Sequence, residues 1–248
     1  LNSLKKHKNL DAVIFLPLNG RTGDGLEIEK YCTENQIFLI EDSAHALGSH
    51  YQDKHCGALG DSSVFSFTPH KIITMGQGGM VLTDNLETYE KLIKLKTFNR
   101  AKDKSDWHEG FGLNFKITDL QSALGLSQLS RLDSLIQKKK NIFQYFYENL
   151  ERVEMINFKE YETPWFIDII LSTEDERNKL ANHFKENFIE TRYCYPPLSL
   201  QEYLIDSEHE NLQHSEDIAQ RTLWLPSSTK LGEKELEKIS NTLNSFYK

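Results

Sequence analysis

At 248 residues the chain is long enough for one large domain or two modest ones. With 38% hydrophobic and 27% charged residues, 13 Gly and only 6 Pro, it falls outside the collagen-like, low-complexity and disordered classes. Twenty-nine Lys plus Arg against 37 Asp plus Glu leave a net charge of −8, which opposes nonspecific attraction to phosphate backbones, so nucleic acid is not an expected partner. No stretch approaches the roughly 18 apolar residues needed to cross a bilayer, and the start lacks the apolar run of a signal peptide, so the expectation is a cytoplasmic protein without a membrane partner. Cys32, Cys56 and Cys194 form no CxxC spacing and point to neither a disulfide framework nor a thiolate zinc site.

The run from Ala12 to Leu16 is continuously apolar and predicts a strand covered on both faces by helices. A glycine-rich turn from Asn19 to Gly25 leads into a helical stretch through Leu26, Ile28 and Tyr31, and a second strand follows at Ile37 to Ile40, which is β-α-β spacing. Two more strands are expected at Ser63 to Phe67 and Gly79 to Thr83, then a helix from Leu86 to about Phe98. The alternation argues for an α/β layer architecture. From Ile117 to about Asn149 apolar residues recur at Leu120, Leu124, Leu129, Leu132, Leu135 and Ile136, predicting a long amphipathic helical region broken once. Within it, Lys138 to Lys140 reads as a solvated face. Beyond it an α+β rhythm sets in, with a strand at Phe166 to Leu171 and helices from Glu174 to Phe188 and Glu233 to Phe246. The expected division is residues 1–150 and 151–248.

Reactive groups are densest between Glu41 and Gly79, at strand ends, which is where α/β folds bind ligands. Asp42 follows one strand, Ser66 to Lys71 closes another, and Gly76 to Gly79 offers a loop for close approach. An amine, a carboxylate and hydroxyl and glycine donors in separate loops suit an anionic aldehyde cofactor such as pyridoxal 5′-phosphate. Singly, each has a plainer reading: Asp42 as a turn or cap residue, Lys71 as a solvated lysine.

The segments Glu41-Asp-Ser-Ala-His-Ala-Leu-Gly48, Gly57-Ala-Leu-Gly-Asp61, Phe65-Ser-Phe-Thr-Pro-His-Lys71, Gly76-Gln-Gly-Gly-Met-Val81 and Gly112-Leu-Asn-Phe-Lys-Ile-Thr-Asp119 closely resemble the DegT/DnrJ/EryC1/StrS family of sugar aminotransferases, more loosely as far as Leu223-Trp-Leu-Pro-Ser227. The resemblance implies a fold type I, aspartate aminotransferase-like chain: a three-layer α/β/α large domain and a small α+β domain. It further implies a homodimer that passes an amino group, by analogy from glutamate, to a nucleotide-linked keto sugar in amino-sugar or surface-polysaccharide biosynthesis. It assigns Lys71 as the lysine bonded to pyridoxal phosphate, Asp42 as the contact to the pyridine nitrogen and Ser66 as a phosphate ligand. His45 stands where relatives carry Gln or another polar residue beside the cofactor, and a structural histidine is its other reading. Asn114 corresponds to an asparagine that reaches the phosphate of the neighbouring subunit, the alternative being a cap for the helix near Thr118. Arg192 falls in a substrate-contacting region and could face a carboxylate or diphosphate, or serve a surface ion pair. Gln77 departs from the more usual Glu of the family's loop and removes a charge beside the lysine.

Three other readings are weighed. The spacing of His45, His50, His55 and Cys56 fits no known zinc loop, so no metal is expected. A branch of the same family that dehydrates sugars carries histidine in place of the lysine, whereas here Lys71 is present beside His70. A noncatalytic or impaired protein is the third reading. It follows from a resemblance that starts this chain, which opens with Leu1, well inside the family's length and so lacks a helix N-terminus for the phosphate and a ring to stack on the pyridine. Weak cofactor binding and an uncovered face at Ala12 to Leu16 are the expectations on that reading.

Overall fold

The first apolar run forms strand β1 (Ala12–Phe15) in the computed structural model, which describes residues 1–7, 9–204, 206–207 and 210–248. The chain divides into two units, Leu1–Leu135 with Tyr161–Thr163, and Ile136–Glu160 with Pro164–Lys248. In the first unit, helix α1 (Gly25–Glu34) connects β1 to the parallel strand β2 (Phe38–Asp42). A small hairpin of β3 (His50–Tyr51) and β4 (Lys54–His55) precedes β5 (Ser62–Ser66), which pairs parallel with β2. Strand β6 (Gly79–Thr83) returns antiparallel on β5, giving the order β1-β2-β5-β6, and helix α2 (Leu86–Lys96) follows, capped by Asn85.

Ile28 and Cys32, one helical turn apart on α1, pack with Leu39, Ala46, Tyr51, Cys56 and Leu59, and Val13 and Phe15 join them from β1. The expectation that β1 is covered on both faces fails. Successive side chains alternate, so while Val13 and Phe15 face this core, Ile14 on the opposite face is 71% exposed.

The helical region after residue 117 breaks once, into α3 (Asp119–Leu129) and α4 (Leu132–Asn149). Thr118 and Gln121 form a reciprocal capping box at the start of α3. The leucines of α3 are not buried: Leu120 is 86% exposed, and Leu124, Leu126 and Leu129 are exposed as well.

In the second unit β7 (Ile167–Ile170), α5 (Glu174–Glu186), β8 (Arg192–Tyr193), α6 (Gln213–Arg221), β9 (Thr222–Leu225) and α7 (Glu233–Phe246) follow in order. The sheet runs β7-β9-β8, antiparallel throughout. Ile167 and Ile169, paired with Leu225 and Leu223, pack on Phe146 of α4, Leu180 and Phe184 of α5 and Leu243 of α7. Strands β3, β4, β8 and β9 and helix α6 go beyond the elements expected from the sequence. β9 escapes a reading by pattern because all four of its residues are buried, so nothing alternates, and it follows α6 with no glycine or proline between. The β3–β4 turn escapes because Gln52 rather than Gly or Asn takes the left-handed conformation, at φ 55.

The lysine run also needs correction. Lys139 is only 6% exposed, and its Nζ donates to the Ser227 carbonyl at 2.7 Å and to Ser227 Oγ at 3.0 Å. Burial lowers its pKa from 10.5 to about 7. Between those values the unfolded chain holds the proton that the folded chain releases, so stability rises with pH across the window and the burial penalty is complete below it. Replacing Lys139 by Met should flatten that rise, which can reach about 1.4 kcal/mol per pH unit for one proton. Urea midpoints of both proteins across the window check this; parallel curves would show that Lys139 does not titrate there.

Candidate active site

Strands β1, β2 and β5 are parallel, so the ends of β2 and β5 open on one edge of the sheet. Asp42 is in register with Val64, and Ser66 lies two residues farther on, so Asp42 and Ser66 sit on the same sheet face. The opposite face carries Glu41, Ser63 and Phe65, which lock the Gly57–Asp61 loop. Glu41 is 0% exposed and accepts hydrogen bonds from Gly57 N–H (2.8 Å), Leu59 N–H (3.0 Å) and Tyr51 Oη (3.0 Å). Ser63 Oγ donates to the Gly57 carbonyl. Gly57 is required here: its φ is +95°, and a Cβ would stand 2.3 Å from the Phe65 ring. Burial, followed by the charge of Glu41, pushes the Cys56 thiol up to about 12, so it is not a nucleophile at neutral pH. Glu41→Ala would strand three buried donors and should lower stability by about 3–5 kcal/mol, read as a lower urea midpoint. An unchanged midpoint would remove this lock from the account.

Beyond β2 the backbone turns tightly, and Asp42 Oδ1 accepts from Ala44 N–H at 3.1 Å, which orients the carboxylate. Ser43 is fully buried and its hydroxyl has no partner among the described residues. His45, partly buried, has its pKa lowered to about 3 by burial first, then by the charges of Lys71 and His70, so it is neutral at physiological pH. That coupling places Lys71 near His45.

The segment after β5 is cinched at its root. Phe67 N–H donates to the Gly78 carbonyl (2.9 Å), and its own carbonyl accepts from Met75 N–H (2.9 Å) and Thr74 Oγ1 (3.1 Å). Lys71 stands within this loop, its N–H on the Thr68 carbonyl at 3.1 Å, and is followed by the buried pair Ile72 and Ile73. Ser66 Oγ lies 3.3 Å from Thr68 Oγ1, which sets two hydroxyls side by side. Gly79 pairs with Ser66 across β5–β6, and Gln77 gives its carbonyl to Gln121 Nε2 at 2.9 Å. Lys71, Asp42, Ser66 and His45 thus gather at one sheet edge.

Asn114 is exposed and forms an isolated bridge with Thr97, flanked by Leu113 N–H to the Leu95 carbonyl (2.6 Å) and Phe115 N–H to the Lys96 carbonyl (3.0 Å). The cap of α3 is Thr118, so Asn114 does not serve there. Arg192 is carried by the second unit, on β8. Among the described residues no three His, Cys, Asp or Glu side chains gather as a metal site. Sequence reasoning passed over the role of Glu41, although strand alternation already sets it on the face opposite Asp42.

The donor set fits pyridoxal phosphate: an amine, a carboxylate, two adjacent hydroxyls and a neutral imidazole at the edge where an α/β sheet takes ligands. The chain matches the DegT/DnrJ/EryC1/StrS aminotransferase family over residues 5–244. It is 31% identical over 239 residues to the GDP-perosamine synthase of Escherichia coli O157:H7, a match that covers 95% of this chain and 65% of that protein. It is 29% identical to the UDP-4-amino-4,6-dideoxy-N-acetyl-beta-L-altrosamine transaminase of Campylobacter jejuni (strain NCTC 11168), over 99% of this chain and 60% of the relative. The chain therefore spans less than two thirds of the length of these relatives. Its fold is similar to the crystal structure of the aminotransferase TlmJ from Streptoalloteichus hindustanus, with a TM-score of 0.89 at 26% identity over 98% of this chain and 67% of the other.

Proposed function

Because this chain belongs to the DegT/DnrJ/EryC1/StrS aminotransferase family, we propose that it moves an amino group from an amino-acid donor, glutamate, to the ketone of a nucleotide-linked deoxy sugar, with pyridoxal 5′-phosphate as cofactor. The observation that carries the reading is the convergence of Lys71, Asp42, Ser66 and His45 on the carboxyl edge of one sheet. The names of the relatives support the substrate class.

When bound, the cofactor supplies an aldehyde that receives the amino group and a ring that takes up electrons. Asp42 holds the proton on the ring nitrogen, since a carboxylate favours a cation beside it where a neutral group would not. Ser66 and Thr68 give hydroxyls to the phosphate. His45, neutral, would stand beside the cofactor and offer a hydrogen bond without adding charge. Lys71 would hold the cofactor through its Nζ, and the same amine, when free, would carry a proton to and from the substrate carbon.

The working form is a homodimer in which Asn114 reaches the phosphate held by the partner subunit. Phe111, Phe115 and Ile117 flank Asn114 and are exposed, as are the leucines of α3, and an apolar surface of that kind suits a subunit interface. No helix among the described residues is long and apolar enough to cross a membrane, and three free cysteines suit a reducing cytoplasm.

Release of 2-oxoglutarate from glutamate tests this reading. It should stop after one equivalent per site without a keto sugar and continue when a nucleotide-linked keto sugar is supplied. Sustained release without an acceptor, or none at all, contradicts amino transfer.

A further inference from the structure

Helix α3 meets the segment that carries Lys71 through Gln121 and Gly125, which are one turn apart and half-buried, while its leucines are exposed. The capping box fixes the Gln121 amide, because its Oε1 accepts from Thr118 N–H at 3.0 Å and from Thr118 Oγ1 at 2.9 Å. Its Nε2 donates to the Gln77 carbonyl, 2.9 Å away. At Gly125 a Cβ would stand 2.9 Å from Met75 Cγ and 3.2 Å from Met75 Sδ and Cε. Gly78 borders the same side chain: a Cβ there would stand 3.2 Å from Met75 Sδ.

Both contacts fall on the base of the Lys71 loop. The Phe67 carbonyl accepts from Met75 N–H and the Phe67 N–H donates to the Gly78 carbonyl, each at 2.9 Å, so Phe67, Met75 and Gly78 are the points where the loop closes. Thr74 Oγ1 reinforces the closure, donating to the Phe67 carbonyl at 3.1 Å and accepting from Gly76 N–H at 3.0 Å. Lys71 lies between these points in the chain, so a displacement of Met75 or Gln77 moves the base on which the amine is carried. Close packing transmits such a displacement rather than absorbing it. Glycine inside a helix weakens it relative to alanine, and at Gly125 that loss makes room for the Met75 side chain.

We propose that α3 sets the position of Lys71, with Gln121, Gly125 and Met75 as positioning residues that act through the base of the loop. The inference rests on the function proposed above, which gives Lys71 its role. It adds that the reach of the amine toward the cofactor is set by a helix that itself carries no residue of the candidate site.

The measurement is the pyridoxal phosphate concentration that gives half-maximal borohydride-trapped label on Lys71, taken beside the urea midpoint of each variant. Gly125→Ala favours the helix itself while its methyl displaces Met75, so the urea midpoint should hold and the labelling concentration should rise about tenfold. Gln121→Glu keeps an acceptor for Thr118, so the capping box survives, but it sets a carboxylate against the Gln77 carbonyl and should raise the labelling concentration several-fold. In a Met75→Ala background Gly125→Ala should cost less than about twofold, because the methyl has nothing to displace. Labelling at the original concentration in both Gly125→Ala and Gln121→Glu overturns the inference and leaves the proposed function standing. A lowered urea midpoint with unchanged labelling does the same, since these residues would then serve packing only. An undiminished effect of Gly125→Ala in the Met75→Ala background overturns the role of Met75. Absence of label from Lys71 in the unsubstituted protein contradicts the proposed function and takes this inference with it.

Discussion

On the proposed function, Lys71→Ala should reduce amino transfer by at least about a thousandfold, since it would remove both the covalent attachment and the group that moves the proton. The fold should survive. The loop is held at its root by Phe67 and anchored by buried Ile72 and Ile73, none of which depends on the Lys71 amine. Noncovalent cofactor binding should persist too, through Asp42, Ser66 and Thr68, and equilibrium dialysis would register it. Mixing Lys71→Ala with Asn114→Ala subunits tests the shared site in the same preparation. Half of randomly re-paired dimers are hybrids with one intact site each, so activity should recover to roughly a quarter of the original. No recovery would count against a site completed across the interface, and a near-normal rate in Lys71→Ala alone would remove the lysine from the mechanism.

Asp42→Asn should lower the rate by about 10²–10⁴-fold while the melting temperature stays close to the original. The amide oxygen can still accept from Ala44 N–H, so the turn after β2 is preserved. What is lost, on the proposed function, is the negative charge that would keep the ring nitrogen protonated. Single-turnover measurement with glutamate isolates this effect from binding of the sugar. Unchanged kinetics would leave Asp42 as a turn residue only.

The convergence of Asp42 and Ser66 was legible because parallel strands bring their carboxyl ends to one edge, whatever element joins them and whatever the sequence distance between them. Lys139 was legible in principle and misread. Leu135, Ile136, Lys139, Ile142, Phe143 and Phe146 recur at helical spacing, which puts the lysine on the apolar stripe of α4, but three consecutive lysines drew the reading toward solvent. The aromatic surroundings of Arg192 were not legible. Phe166, Tyr195 and Trp224 are brought together by the pairing of β7, β8 and β9, and β9, buried on both sides, shows no alternation to announce it. The bare face of β1 and the leucines of α3 illustrate a different limit: an apolar run states that a surface prefers cover, not which element supplies it.

The central claim, that Lys71 is the residue that carries pyridoxal phosphate, is tested most directly by mass. The protein is incubated with the cofactor, reduced with borohydride, digested and sequenced by mass spectrometry. One pyridoxyl-phosphate adduct per chain, on the peptide containing Lys71 and absent from Lys71→Ala, is the predicted result. An unmodified Lys71, or label spread over surface lysines and unchanged in Lys71→Ala, would contradict it.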